Sequence, residues 1–198
     1  SFVLGLHGPC ASFETACSAS LAACHSAARA LRHGECAAHV AAGVNLILLQ
    51  SSSLGLALAG MTSAAGRSHT FDDRADGFAR GEGCAAIVAK SEGEAPVELC
   101  GSAVRQDGRS ASLTAPNGQA QQGLLVAALC DAGATVDGLA LHEAHGTGTA
   151  LGDPTEAGAL AAVHGAAGDR EWPLPVMAAK ASFGHSEAAS AGLGLLRV

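Results

Sequence analysis

Three short stretches carry the residue types that could do chemistry. The first is "ETACSAS", Glu14 to Ser20, in which Cys17 stands where a short apolar strand over 10–16 is predicted to give way to a helix over Ser18–His33. A helix start presents unpaired N–H groups and the positive end of the helix dipole, and both favour a thiolate over a thiol. Ala16, Ser18 and Ala19 leave room around the sulfur for a substrate. An isolated cysteine is more often a small packed hydrophobe, so position alone leaves a nucleophile and a core residue both open.

The second stretch is "HEAHGTGTALGDPTEA", 142 to 157. His145 falls at the end of a predicted strand, where the loop Gly146–Thr149 begins, and strand ends are a common address for functional groups in α/β sheets. A dinucleotide fingerprint would need its third glycine at 151, but that residue is Leu151 and the glycine is Gly152. No Walker-type lysine follows, so nucleotide binding is excluded on spacing. His142 and His145 would lie on opposite faces of a strand, which leaves His142 as a structural or surface residue. The third stretch is "KASFGHSEAAS", 180 to 190, with Lys180 at a strand end and His185 leading into a helix. A histidine at such a place is more often a satisfied polar group than a catalyst. One cysteine, two histidines and a lysine, each at an element junction, make a constellation.

These junctions need elements to hold them. Strands are predicted at 10–16, 38–49, 83–90, 96–104, 138–145 and 175–180. Helices are predicted over Ser18–His33, stopped by Gly34, over Gln119–Asp131, over Asp153–His164, and from about Ser186 onward. In the first of these, Leu21, Cys24, Ala28 and Leu31 recur at helical spacing. Asp153, Pro154 and Glu156 form a capping-box pattern with Asp153 as N-cap. The stretch between 49 and Arg80, rich in Ser and Gly, reads as an excursion. Alternation of strands and helices implies an α/β fold with a largely buried sheet.

Composition narrows the function. With 198 residues and 48% hydrophobic content, the chain can bury the core of one globular domain. A net charge of -7 with 3% aromatics excludes a basic, aromatic-studded nucleic-acid groove. The longest strongly apolar run, "VNLILL" at 44–49, is too short to span a bilayer, and no amino-terminal signal pattern is present. Seven cysteines without a CxxC pair argue for reduced thiols in a cytosol-like compartment and against a zinc ribbon. No metal site is expected.

The blocks "GPCASFETACSASLAACHSAARALRHGECAAHVAAGVN", "FDDRADGFARGEGCAAIVAK", "HEAHGTGTALGDPTEAGAL" and "KASFGHSEAASAGL" resemble, in order and spacing, the β-ketoacyl synthase domains of type I polyketide synthases and related fatty acid synthases. The "HGTGT" form is more similar to those than to free-standing bacterial enzymes, where "HGTST" is more usual. The resemblance implies a thiolase-like layered α/β/α/β/α fold, of which this chain is expected to be an incomplete, central portion: 1–104 part of the half with the nucleophile and 105–198 part of the half with the two histidines. The apolar, uncapped ends "SFVLGLHGP" and "AGLGLLRV" fit that expectation.

By the same resemblance, Cys17 is the acyl-accepting nucleophile, His145 and His185 are the active-site histidines, and Lys180 supports His185. Thr147 and Thr149 match threonines that contact the phosphopantetheine arm of an acyl carrier protein. The implied activity is a decarboxylative condensation of a Cys-bound acyl group with a malonyl-type extender, with no tightly bound cofactor. The implied partners are an acyl carrier protein, acyl and malonyl-type thioesters, and a second copy of the complete domain as a homodimer; the implied compartment is the cytoplasm. Ala181 and Ser182 stand where the family usually has Ser and Asn, His142 replaces a small or apolar residue, and Ser190 falls in a segment usually of Ala and Gly. Two competing readings differ from an elongating enzyme. A decarboxylating loading domain typically has Gln at the nucleophile, against Cys17 here; a non-catalytic remnant used for dimerisation or carrier docking would not need the intact constellation.

Overall fold

The computed structural model describes residues 1–165 and 172–198. Its first helix, α1 (Ala19–Arg32), packs on β1 (Ala38–Asn45), and Gly34 in the left-handed region follows its end as the sequence predicts. The buried face of α1 is Ala19, Ser20, Cys24, Ala27, Ala28 and Ala30, whereas Leu21 is exposed. Alanine, not leucine, faces the sheet, because small side chains let a helix lie close to a strand. Cys24, Ala27 and Ala41 form the centre of this contact, with Ala23 and Ile87 against it.

β1 pairs antiparallel with β2 (Gly83–Lys90), Ala38 opposite Lys90 and Asn45 opposite Gly83. Both strands alternate in burial, with Ala41, Gly43 and Ala85 inward and Val40, Val44 and Val88 outward and exposed. This corrects the largely buried sheet: among the described residues one face of the pair is covered and the other is open. Gly43 shows how close the covered face is. A Cβ there would stand 2.8 Å from the Ala188 carbonyl oxygen and 2.8 Å from Ser20 Cβ, so the strand reaches both α1 and the turn beyond His185 only as glycine.

Five of the six predicted strands do not form as drawn. Residues 10–16 run without strand pairing into a 3-10 turn at Ala16–Ser18. The 38–49 strand stops at Asn45, and α2 (Gln50–Leu58) occupies the start of what reads as an excursion. The 96–104 segment is not a strand, because its polar groups are taken by side chains: Ser102 N–H donates to Asp131 at 2.9 Å, and the Cys100 carbonyl accepts from Arg32 at 2.9 Å. Asp131, on α3 (Gly118–Ala132), also pairs with Arg29 and Arg32 of α1. The Ser102 N–H and then Arg32 hold its carboxyl down at about 2, and the segment is thereby tied between α1 and α3.

The strands predicted at 138–145 and 175–180 shrink to a parallel pair, β3 (His142–Glu143) and β4 (Val176–Met177). The pairing continues through Ala144 N–H to the Met177 carbonyl at 2.7 Å. His145 therefore leaves the end of β3 as Lys180, first residue of the short helix α5 (Lys180–Phe183), follows the end of β4. The last predicted helix is a 3-10 turn, Glu187–Ala189, followed by α6 (Ser190–Leu195).

The capping box at 153–156 is also corrected. α4 (Gly152–His164) has Leu151 as N-cap, and its first N–H, from Gly152, is taken by Thr149 Oγ1 at 3.2 Å. Asp153, 3% exposed, is freed to accept from Gly148 N–H at 3.0 Å, Thr149 N–H at 3.3 Å and Phe71 N–H at 2.7 Å. Glu156 accepts from His145 N–H at 2.6 Å and Gly146 N–H at 2.8 Å. Both carboxylates hold the loop rather than the helix end, and their place in the first turn of α4 suits the dipole.

Two stability effects follow. Gly43→Ala should lower unfolding free energy by about 1–3 kcal/mol, the cost of overpacking a closed contact; an unchanged urea midpoint would show that the strand has room to move. Asp153→Ala leaves three N–H groups without their acceptor and should cost more than about 2 kcal/mol, with Asp153→Asn between it and wild type. Equal denaturation midpoints for all three proteins would contradict the loop-holding role.

Candidate active site

Cys17 sits in the 3-10 turn directly ahead of α1, half-buried. The sharp entry is made by Ala16, whose φ of 51° lies in the left-handed region that a residue with a side chain seldom adopts. Ser18 tightens the same turn, its hydroxyl donating to the Thr15 carbonyl at 2.9 Å. Backbone strain is thus held at the one cysteine singled out by its position.

The fold brings Cys17, His145 and His185 together: their candidate Sγ and ring-nitrogen atoms all lie within 4.8 Å of one another. The two imidazoles meet edge to face, with ring centroids 5.7 Å apart at 88°. Behind His185 stands Phe78, edge-on at 4.9 Å. His142 does not join them; it packs against His164 on α4, centroids 5.2 Å apart.

His185 is held at both main-chain groups. Its N–H donates to the Ala79 carbonyl at 2.6 Å, and its carbonyl accepts from Gly81 N–H at 2.9 Å. The turn after it is anchored by Arg80, whose Nε and Nη2 reach Glu187 Oε1 at 3.0 and 2.7 Å and whose Nη1 reaches Ser53 Oγ at 2.6 Å. Glu187 has a φ of 43°, and from that conformation its N–H points at His185 Nδ1, 3.1 Å away. A backbone N–H can only donate, so Nδ1 is the acceptor and the proton of the neutral ring sits on Nε2.

Burial, then the charges of Lys180 and His145, push His185 down to about 3. Burial and Lys180 push His145 down to about 4, with Asp153 opposing. His145 is the exposed member of the group, and water at its open edge moderates that effect, whereas His185 is 4% exposed. Lys180 is itself 7% exposed; burial lowers its ammonium from the usual range, and Cys17, Glu156, Glu143 and Asp153 partly offset this. The centre is therefore the Cys17 sulfur beside two neutral imidazoles, with buried Lys180 close by.

Cysteine sulfur and two imidazole nitrogens are also a donor set for a soft divalent metal. Two features oppose that use: Lys180 repels a cation, and the Nε2–H form of His185 has no lone pair to offer on that nitrogen.

Thr147 and Thr149 lie on the same loop as His145, their hydroxyl oxygens 3.2 Å apart; Thr147 is buried and Thr149 half-buried. Gly148 between them, at φ 79°, has its carbonyl bound by Gly77 N–H at 2.9 Å, and a Cβ there would stand 2.8 Å from His69 N. The residues that sequence reading misses are supports: Asp153 and Glu156 read locally as a capping box, and Phe78, Arg80 and Glu187 carry no local pattern that marks them. Ser190 was visible only as an odd residue among Ala and Gly.

Comparison with known proteins identifies the family to which the chain is similar. Residues 1–95 match the family described as Beta-ketoacyl synthase, N-terminal domain, and residues 97–198 match Beta-ketoacyl synthase, C-terminal domain. Similar curated proteins include a Phenolphthiocerol synthesis polyketide synthase type I of Mycobacterium bovis, 43% identical over all of this chain and 10% of its own length. Pikromycin polyketide synthase component PikAII of Streptomyces venezuelae is 41% identical, with 6% of its length covered. Among solved structures, the oxazolomycin ketosynthase domain OzmH KS7 of Streptomyces albus JA3453 superposes with a TM-score of 0.92 at 34% identity, over 98% of this chain and 35% of that one. The ketosynthase from module 6 of the bacillaene synthase of Bacillus subtilis 168 gives 0.89 at 32%, over 98% and 36%. The chain thus spans a small part of the synthases and about a third of each ketosynthase structure. From the paired family matches, the shared thiolase-like α/β fold and the identity to polyketide synthases, the chain belongs to the β-ketoacyl synthase family.

Proposed function

We propose that the chain carries the condensing site of a β-ketoacyl synthase that elongates a polyketide or fatty acyl chain, with 1–104 and 105–198 as parts of its two halves. The observation that carries this reading is the convergence of Cys17, His145 and His185 within 4.8 Å from three separated sequence stretches. A remnant kept only for docking has no need of that convergence, nor of the buried Lys180 beside it.

In the first half-reaction the Cys17 thiolate attacks the carbonyl carbon of an acyl thioester carried on the phosphopantetheine arm of an acyl carrier protein. The carbon–sulfur bond to the carrier breaks, the carrier thiolate leaves and takes a proton, and the acyl group stays on Cys17. The backbone N–H of Cys17, in the turn that opens α1, is suited to the oxyanion. In the second half-reaction a malonyl-type thioester breaks its bond to the carboxylate, carbon dioxide leaves, and the electron pair remains as an enolate.

The enolate oxygen needs donors that are not acids strong enough to quench the carbanion. Neutral His145 and His185 meet that need, and His185 presents Nε2–H because Glu187 N–H occupies Nδ1. The enolate carbon then attacks the acyl-Cys17 carbonyl, the carbon–sulfur bond breaks, and the thiolate is regenerated as the β-ketoacyl carrier leaves, two carbons longer. Burial keeps both imidazoles unprotonated, and the charge of Lys180 adds to it. Thr149, with Thr147 behind it, lies on the loop that would meet the phosphopantetheine arm, and a homodimer is the expected assembly of the complete domain.

The first test is acylation: a simple acyl thioester should label Cys17 alone by peptide mapping, and Cys17→Ala should take no label. Label spread evenly over the seven cysteines would overturn the assignment of the nucleophile. His185→Ala should slow decarboxylation of a malonyl thioester roughly 10²–10³-fold, the usual loss for one oxyanion donor. The pH profile supplies a third check. Both imidazoles act in the neutral form, so activity is lost as pH falls and they take up protons. With His185 near 3 and His145 near 4, the acid limb should lie below about pH 5 instead of at the ordinary histidine value. A limb centred near pH 6.5 would show ordinary, water-exposed histidines.

A further inference from the structure

Ser190 is unusual in place and in contacts. It opens α6, is 5% exposed, and its hydroxyl lies 2.7 Å from His185 Nδ1. Ser186, 2% exposed, places its own hydroxyl 3.3 Å from Ser190 Oγ. No side-chain capping bond is made at the start of α6, whose N-cap is Ala189, so the helix does not use the Ser190 hydroxyl.

The directions of these hydrogen bonds follow from one fixed donor. Glu187 N–H points at Nδ1 and can only donate, so Nδ1 carries a lone pair and Ser190 O–H must donate to it as well. Ser190 Oγ is then free to accept from Ser186 O–H. A relay from Ser186 through Ser190 to Nδ1 leaves the imidazole proton on Nε2, the nitrogen available to the reaction centre.

We propose that Ser190 is a positioning residue for the condensation: its hydroxyl, aligned by Ser186, joins the Glu187 N–H as a second donor to Nδ1, and together they hold His185 in the Nε2–H tautomer with its ring plane fixed against Phe78. The assignment rests on the reading of His185 as an enolate donor. Around the ring, Lys180 comes from α5, His145 from the loop after β3, Cys17 from the turn ahead of α1, and Glu187 is already neutralised by Arg80. Apart from the Glu187 N–H, no other group among the described residues donates to Nδ1 in place of Ser190. Without the hydroxyl, Nδ1 keeps one backbone contact at 3.1 Å, and the ring gains freedom to turn and to move its proton.

The test compares wild type with Ser190→Ala, Ser190→Thr and Ser186→Ala by ¹⁵N NMR of the His185 ring, together with Cys17 acylation, malonyl-thioester decarboxylation and thermal midpoint. The wild-type ring should show an unprotonated Nδ1 and a protonated Nε2. Ser190→Ala should populate the other tautomer and slow decarboxylation roughly 5- to 10-fold, the size of one lost hydrogen bond to a reacting group, with acylation unchanged. Ser190→Thr should restore both readings, and Ser186→Ala should give a smaller shift in the same direction. An unchanged tautomer and rate in Ser190→Ala overturns the proposal, as does a wild-type ring protonated on Nδ1. Should Ser190→Ala fail to fold, Ser186→Ala decides, since it leaves Ser190 in place: no shift in ring or rate overturns the relay. If the ring responds as expected but wild type does not decarboxylate, the condensing-enzyme reading fails while the hold of Ser190 on the ring stands.

Discussion

Two backbone hydrogen bonds, from His185 to Ala79 and from Gly81 to His185, join the segment before β2 to the segment before α6, and the candidate site depends on that junction. His185 belongs to the carboxy-terminal half of the sequence, whereas Cys17 and the β1–β2 pair belong to the amino-terminal half. If these bonds were lost, the imidazole would leave the cysteine although both residues remained in the chain. The Arg80–Glu187 pair closes the same junction with side chains, only 12% of the Arg80 side chain being exposed. The strained Glu187 backbone is tolerated because the turn is held from both sides, and it delivers the N–H that sets the histidine's tautomer.

A second constraint is electrostatic. Four ionisable groups, Lys180, Glu143, Asp153 and Glu156, are gathered beneath the site, and each carboxylate has backbone N–H or cationic partners. Burial lowers the Lys180 ammonium from its usual range while Cys17 and the neighbouring carboxylates oppose this, and burial of the histidines, with the Lys180 charge added, holds them neutral. Asp153 and Glu156 therefore act twice, as anchors of the His145 loop and as counter-charges to the lysine. The arrangement keeps proton donors of low acidity beside the Cys17 sulfur.

Close packing by small residues makes these distances possible. α1 approaches β1 on alanine, Gly43 meets Ser20 and the Ala188 carbonyl, and Gly148 passes against the backbone at His69. Larger side chains at any of these points would move the cysteine turn or a histidine by more than a hydrogen bond tolerates. The high Ala and Gly content, which in the sequence reads only as a core-forming composition, is in this fold the means of bringing distant loops into contact.

From the sequence alone came the α/β class, the positions of α1, α3 and α4 to within a residue or two, and the identity of the chemical groups at 17, 145, 180 and 185. These are legible because helical periodicity and glycine stops are local, and because a thiol, an imidazole or an amine is declared by residue type. The strands at 10–16 and 96–104, the inward place given to Leu21 and the capping box are misread for a common reason. Each depends on what stands opposite: Arg32 and Asp131 take the polar groups of 96–104, alanine outcompetes leucine where a strand must come close, and Thr149 caps α4 so that Asp153 can turn to the loop. Only the tertiary structure decided that Cys17, His145 and His185 meet, which nitrogen of His185 carries the proton, and that Ser190 faces it, because those are distances between segments far apart in the chain or choices among hydrogen-bond partners that no local spacing encodes.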